Sequence, residues 1–416
     1  MSAPDGFGRS EGPWPSERPK PTVWDDLVGQ DAAVEVLRTA AGAAREIHAG
    51  RDAAPGAMTH AWLFTGPAGS GRSVAARAFA AALECVRDGE PGCGECSGCH
   101  TTLSRSHPDV HAVVPEGLSI SVAEMRAVVA TAARLPALGR WQVVVIEDAD
   151  RLTEAASNAL LKAVEEPPTR TVFLLCAPST HPDDVSVTIR SRCRLVSLRI
   201  PPAEAIADVL RRGGVDAETA TWAAQAGQGH VGRSRRLARD EAARARRAEV
   251  LAIPASLTSL QACLDAADHL VRAAEGEAAA ISIELSTGET EALQIALGAG
   301  GTGKGTAAAT RGTAGAVREL ERRQKSRATR MQRDALDRAL VDLAAFYRDV
   351  LLVHAGAAVP PAHPDFADDA RSVAARLTAP GTLQRLDAVL ACREALELNV
   401  KPRIAVEAMT AALRLP

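Results

Sequence analysis

Eight consecutive residues, Gly66-Pro67-Ala68-Gly69-Ser70-Gly71-Arg72-Ser73, carry the glycine spacing and terminal hydroxyl of a phosphate-binding P-loop, with arginine where lysine is usual. The apolar run before them reads as a buried strand, and the Ala-rich stretch after them reads as a helix. That is the strand–loop–helix context the motif needs. Glycines let successive N–H groups turn inward around an anion, and the helix N-terminus adds partial positive charge. Arginine offers a broad planar fork in place of a compact ammonium. The exchange leaves nucleotide binding open and works against efficient hydrolysis. A second candidate is the run Gln142-Val143-Val144-Val145-Ile146-Glu147-Asp148, an apolar strand ending in two carboxylates, as a Walker B element presents an acid to Mg²⁺. The usual order is aspartate then glutamate. Here Glu147 precedes Asp148, so each carboxylate is displaced by one methylene, a misplacement worth about a hundredfold in rate.

Four of the eight cysteines, Cys85, Cys93, Cys96 and Cys99, fall within fifteen residues as C-x7-C-x2-C-x2-C. Gly92, Gly94, Ser97 and Gly98 permit the tight turns that four thiolates need around tetrahedral Zn²⁺, and such a site would be structural because no ligand position stays open. Free thiols or a disulfide pair are the alternatives. Cys176, Cys193, Cys263 and Cys392 stand apart and read as small core residues. Ser191-Arg192-Cys193 lies just before the last strand candidate. Arg192 could pair locally with Glu or Asp, or project toward a neighbour's γ-phosphate as an arginine finger. These residues alone leave both open.

Strand candidates at 61–65, 110–114, 142–146, 172–176 and 195–198 alternate with helical patterns, and several are continuously apolar, as strands buried on both faces of a parallel sheet are. Thr153 caps a helix that Pro167-Pro168 stops. Beyond Pro201-Pro202 amphipathic helices take over. Residues 276–313, rich in Gly, Ala and Thr, read as a flexible insertion with one short helix near 289–297. Within it, Gly298 to Gly305 mimics a P-loop as far as Lys304 but reads as low complexity. Arg318, Arg322, Arg323, Lys325, Arg327, Arg330 and Arg333 then form a basic run, either a solvated helix face or a contact for nucleic acid or an acidic partner. Helices are expected over 335–353, 383–398 and 404–415.

The chain's 416 residues allow two or three domains. A charged fraction of 24% and a net charge of −3 give no global pull toward nucleic acid or anionic membrane, and no apolar run is long enough to span a bilayer. Residues 1–21 read as a disordered tail lacking the apolar centre of a signal peptide. Clustered cysteines without an export signal fit a reducing, cytoplasmic compartment.

Together, Trp24 to Gln30, His60 to Ser73, the four-cysteine insert, Asn158-Ala159-Leu160-Leu161-Lys162 with Glu165-Glu166-Pro167-Pro168, and Ile189-Arg190-Ser191-Arg192-Cys193 resemble bacterial clamp-loader subunits of the AAA+ class. Leu398-Asn399-Val400-Lys401-Pro402, followed by Ile404, Val406, Glu407 and Ala408, resembles that family's C-terminal helical collar. The resemblance implies an α/β P-loop (AAA+) domain with a parallel sheet over residues 22–198 and a zinc insert at 85–99. An all-α lid at 199–248 and an all-α collar at 249–416 follow. It implies structural Zn²⁺ on Cys85, Cys93, Cys96 and Cys99, with Gly66, Gly69, Gly71, Arg72 and Ser73 as a degenerate nucleotide site and Glu147 and Asp148 as its Walker B acids.

The family contains ATP-hydrolysing motor subunits and a stator. Motors keep the P-loop lysine, an Asp-Glu Walker B and a lid arginine that senses nucleotide. Here Arg72, Glu147-Asp148 and, in Gly229-His230-Val231-Gly232-Arg233-Ser234, Gly232 stand in those places. The three departures point to the stator, with Arg192 acting in trans on an adjacent motor's ATP. The partners implied are motor subunits, a clamp-opening subunit, the sliding clamp and, through the complex, primed DNA. The assembly belongs to the replicative DNA polymerase III holoenzyme, and the chain itself would be neither polymerase nor efficient ATPase. The rivals are an active motor, and a zinc-dependent nucleic-acid module with a vestigial P-loop.

Overall fold

The computed structural model describes residues 22–296 and 306–415; the expected tail at 1–21 and the glycine-rich run 298–305 lie outside the described residues. The α/β part runs α1 (Asp31–His48), β1 (Ala61–Thr65), α2 (Arg72–Leu83), α3 (Ser97–Leu103), β2 (Val110–Val113), α4 (Val122–Ala132), β3 (Gln142–Ile146), α5 (Glu154–Glu165), β4 (Thr171–Ala177), α6 (Val187–Arg190) and β5 (Arg194–Ser197). Its five strands form one sheet in the order β2-β3-β4-β1-β5, and every pairing is parallel. Side chains alternate across each strand. Trp62 and Phe64 therefore join α1 and α2 in one core layer, while Leu63, Val144, Ile146, Phe173 and Leu175 face α4 and α5 in another. Burial on both faces explains why β1, β3 and β4 are continuously apolar. This is the expected α/β P-loop architecture, with each strand within a residue of its expected limits.

Four helices follow: α7 (Ala203–Arg212), α8 (Ala217–Ala226), α9 (Val231–Arg239) and α10 (Glu241–Ser256). The first three enclose a small core around Ile206, Leu210, Ala223 and Leu237. The last helices, α11 (Leu260–Ala296), α12 (Thr306–Ala355), α13 (Ala367–Arg376), α14 (Ala379–Glu397) and α15 (Pro402–Leu413), surround Leu340, Leu343, Phe346, Tyr347, Val389 and Val406. Asn399 adopts a left-handed conformation that ends α14, and Pro402 begins α15.

The structure overturns two expectations. Residues 276–296 are not a flexible insertion but the continuation of α11, and α12 already begins at Thr306. Alanine supplies the helix propensity, and the pairing of α11 with α12 supplies the tertiary support that low bulk had disguised. Arg327 of α12 grips Glu289 of α11 with Nη1–Oε1 and Nη2–Oε2 distances of 2.6 and 2.7 Å. The basic run is likewise neither a wholly solvated face nor a vacant ligand surface. Arg322 pairs with Glu319, Arg323 with Glu116, Arg330 with Asp148, and Arg333 with the Leu396 carbonyl and Asn399; Arg318 and Lys325 stay exposed.

Helices α9 and α10 meet the last group of helices through buried polar groups. Arg247 donates to Asp365 and, at 2.8 Å, to Nδ1 of His363, which hands its Nε2 hydrogen to the Asp342 carbonyl at 3.1 Å. Asp349 accepts the backbone N–H of Ala362 and of His363, and Asp342 takes Arg233 from α9. Burial, then the Arg247 charge, holds the His363 imidazole below its ordinary pKa despite the opposing pull of Asp342 and Asp349. The unfolded chain therefore takes up the proton first, so this contribution to stability is complete above about pH 6.5 and is lost as pH falls through the lowered folded value. Thermal unfolding at pH 7.5 and 5.5 should show a steeper loss of Tm on acidification for the wild type than for His363→Gln. Equal slopes would mean the joint does not sense this proton.

Candidate functional site

β1 ends at Thr65, and the loop turns at Gly66, Gly69 and Gly71, all with positive φ, before α2 begins at Arg72. At Gly69 a Cβ would lie 2.7 Å from the Cα of His230, so only glycine lets the start of α9 sit this close to the loop. Gln30 fixes the loop from the other side. Its Nε2 donates to the Ser70 carbonyl at 3.2 Å and to the Arg199 carbonyl at 2.6 Å, and its Oε1 accepts the Arg199 N–H at 3.1 Å. A buried amide before a helix carries no local signal of such a role. The loop keeps the features of an anion cradle: the α2 N-terminus, and an Arg72 Nη1 that is buried with no protein partner.

The acids beside the cradle are engaged elsewhere. Glu147 sits at the end of β3 with its side chain 14% exposed, 3.1 Å from Arg105 and 3.6 Å from Arg77. Asp148 adopts a left-handed conformation (φ 56°), and its Oδ2 lies 2.6 Å from Arg330 Nη2 of the collar helix α12. Both carboxylates expected to act as the Walker B pair are therefore neutralised by guanidiniums of the same chain. Metal coordination would have to displace charge-assisted hydrogen bonds, which are among the stronger polar contacts in a protein.

On α9, Gly232 presents no side chain. The adjacent Arg233 is drawn to Asp342 instead of the loop. His230 caps α9 through Nδ1, and burial, then the Arg233 charge, lowers its pKa and keeps the ring neutral.

Arg192 follows α6 at the surface. Its Nη2 lies 2.7 Å from Glu165, with the two side chains 39% and 38% exposed, and its Nη1 donates to the Thr188 carbonyl at 2.9 Å. The local pair that residue chemistry allowed is thus formed. An exposed pair of this kind is worth only ~0.2–1 kcal/mol, so it holds the guanidinium loosely. Burial pushes the neighbouring Cys193 thiol up to about 12, which makes it inert.

The sulfurs of Cys85, Cys93, Cys96 and Cys99 all lie within 4.8 Å of one another, with Cys85–Cys93 at 3.8 Å and Cys85–Cys96 at 3.9 Å. Those separations are far beyond a disulfide's ~2.05 Å and suit a metal ion held between four thiolates. Backbone N–H groups of Cys96 and Cys99 point at the sulfurs of Cys93 and Cys96. Residues 22–24 seal the module: the Val23 N–H donates to the Gly92 carbonyl and Trp24 Nε1 to that of Pro91. Arg105, just beyond α3, links the module to Glu147.

Residues 47–202 match the family model described as DNA polymerase III, delta subunit. The chain is 39% identical over 146 residues to the DNA polymerase III subunit delta prime of Haemophilus influenzae, which covers 35% of this chain and 44% of that protein. It is 38% identical over 156 residues to the subunit of the same name from Pseudomonas aeruginosa, covering 37% and 47%. Over 195 residues it is 31% identical to the DNA polymerase III subunit gamma/tau of Mycobacterium tuberculosis, covering 46% and 31%. The chain spans less than half the length of each of these relatives.

Restoring the P-loop lysine should not restore an engine, because Glu147 and Asp148 stay paired. Arg72→Lys in the isolated chain is expected to show no Mg²⁺-dependent ATP turnover above the wild type. Turnover of about 1 s⁻¹ or more would show that the paired acids are no obstacle.

Proposed function

We propose that this chain, a relative of the DNA polymerase III clamp-loader subunits across its α/β region, is the delta prime subunit, the stator of the loader that places the sliding clamp on primed DNA during replication. One observation carries the reading. The parallel sheet and the P-loop turn are in place, yet the two carboxylates after β3 are held by guanidiniums of the same chain, while Arg192 stands at the surface in a weak pair. A subunit that must fit beside motor ATPases without firing needs that combination. Its work is mechanical and electrostatic: it braces the clamp-opening subunit and swings Arg192 from Glu165 toward the γ-phosphate of an adjacent motor subunit, where the guanidinium offsets charge that develops in the transition state. The P-loop, with Arg72 and the α2 N-terminus, could retain an anion or a nucleotide without turning it over.

The ion held by Cys85, Cys93, Cys96 and Cys99 is, in this reading, zinc. Zn–S bonds of ~2.3 Å place tetrahedral sulfurs ~3.8 Å apart, which matches the 3.8 and 3.9 Å separations in the cluster. With four thiolate ligands its part is structural. Among the described residues no helix is long and apolar enough to cross a membrane. A place in the cytoplasm, at the replisome, follows from the proposed role.

Two measurements test this. The chain is mixed with motor and clamp-opening subunits, and assembly and ATPase are followed together. Arg192→Ala should leave assembly intact and abolish the contribution of the site it serves, since an arginine finger is worth about 10³–10⁵ in turnover. An unchanged rate removes the finger assignment, and brisk ATP turnover by the isolated chain favours a gamma/tau-type motor instead. Metal analysis of the purified chain should find one zinc per molecule, lost in Cys99→Ser together with a lowered Tm. A metal-free wild type would refute the zinc assignment.

A further inference from the structure

α12 is 50 residues long, about 75 Å at 1.5 Å per residue, far more than its collar core occupies. From Ala335 onward it is collar, with Leu336, Leu340, Leu343, Phe346 and Tyr347 buried. Before Ala335 it runs beside α11 and over the α/β domain. There Arg323, Ser326, Arg330 and Asp334 follow one another at intervals of three, four and four, which puts them on one helix face. Each meets the loops that leave β2 and β3. Arg323 grips Glu116 with both guanidinium edges, Nε to Oε2 at 2.6 Å. Ser326 lies so close to Gly117 that a Cβ there would collide with its hydroxyl. Arg330 donates to the Pro115 carbonyl and, at 2.6 Å, to Asp148 Oδ2. Asp334 lies 4.0 Å from Arg151 and 3.6 Å from Arg330 Nε.

We propose that this face of α12 is a clasp that locks the collar to the P-loop domain, with Asp148 converted from a metal-binding acid into the anchor for Arg330. The partners are well placed for it. The Arg330 side chain is 17% exposed and that of Asp148 28% exposed, so the pair is partly shielded from solvent and less weakened by salt than a surface pair. One guanidinium satisfies both a carbonyl from the loop after β2 and the carboxylate after β3, so Arg330 holds two loops with one group. A divalent cation on Asp148 Oδ2 competes with the closed clasp, because that oxygen already accepts from Arg330. The clasp therefore fixes domain orientation by consuming the chemistry that a motor would use to change it. The pairing is a property of the isolated chain and does not depend on the partners proposed above.

The test is hydrogen–deuterium exchange on the full-length protein, read in residues 114–120, 147–153 and 320–334. Arg330→Ala should speed exchange there about tenfold, the equivalent of ~1.4 kcal/mol. Arg322→Ala, whose guanidinium pairs with Glu319 on the same helix, should leave it unchanged. The exchanged pair Asp148→Arg with Arg330→Asp should recover protection. If Arg330→Ala does not fold, Asp148→Asn, which keeps an acceptor but removes the charge, should give a smaller rise. Exchange in Arg330→Ala, or in Asp148→Asn if that variant is used, equal to the wild type would overturn the clasp.

Discussion

A carboxylate at the end of a strand buried on both faces has to be compensated, because the cost of taking an ion out of water is several kcal/mol even after the protein relaxes. At the end of β3 the compensation comes from three separate elements. Arg77 arrives from the P-loop helix, Arg105 from the edge of the cysteine module, and Arg330 from the collar. A metal ion could have met the same electrostatic demand from solution. Meeting it with side chains instead ties three parts of the molecule to one point, so the position of the cysteine module, the seating of α2 and the lie of α12 all depend on Glu147 and Asp148.

The polar joints elsewhere follow the same logic. Apolar helix faces can slide over one another with little penalty, whereas a buried guanidinium accepts few arrangements. Between α9–α10 and the last helices, Arg233 and Arg247 are matched to Asp342, Asp365 and His363. At the base of the P-loop Gln30 satisfies two carbonyls and one N–H with a single amide. Leaving any of these groups unpaired costs more than the pairing gains, which makes them devices for geometry more than sources of net stability. The exposed Arg192–Glu165 pair differs in kind, and its looseness suits the role proposed for Arg192.

Much of this was legible in the chain. The strands could be delimited to within a residue because central parallel strands must be apolar on both faces and so appear as unbroken runs, as at 142–146 and 172–176. The four cysteines converge because their spacing is short enough for local turns to close the cluster. The helical hairpin at 276–296 and beyond was hidden, since Ala, Gly and Thr without bulky apolar residues give little period to read. Gln30 was hidden as well, for a glutamine on a helix start gives no sign of three partners distant in sequence.

The P-loop turn, the apolar strands and the cysteine cluster can be read from neighbouring residues, because each rests on backbone freedom or spacing over a short stretch of chain. Where the arginines go is settled by the packing of distant elements. A guanidinium on a long flexible stem can pair in many ways, and Arg330 and Asp148 stand 182 residues apart in the chain. Their meeting depends on how two domains pack, and no local pattern of residues encodes that distance.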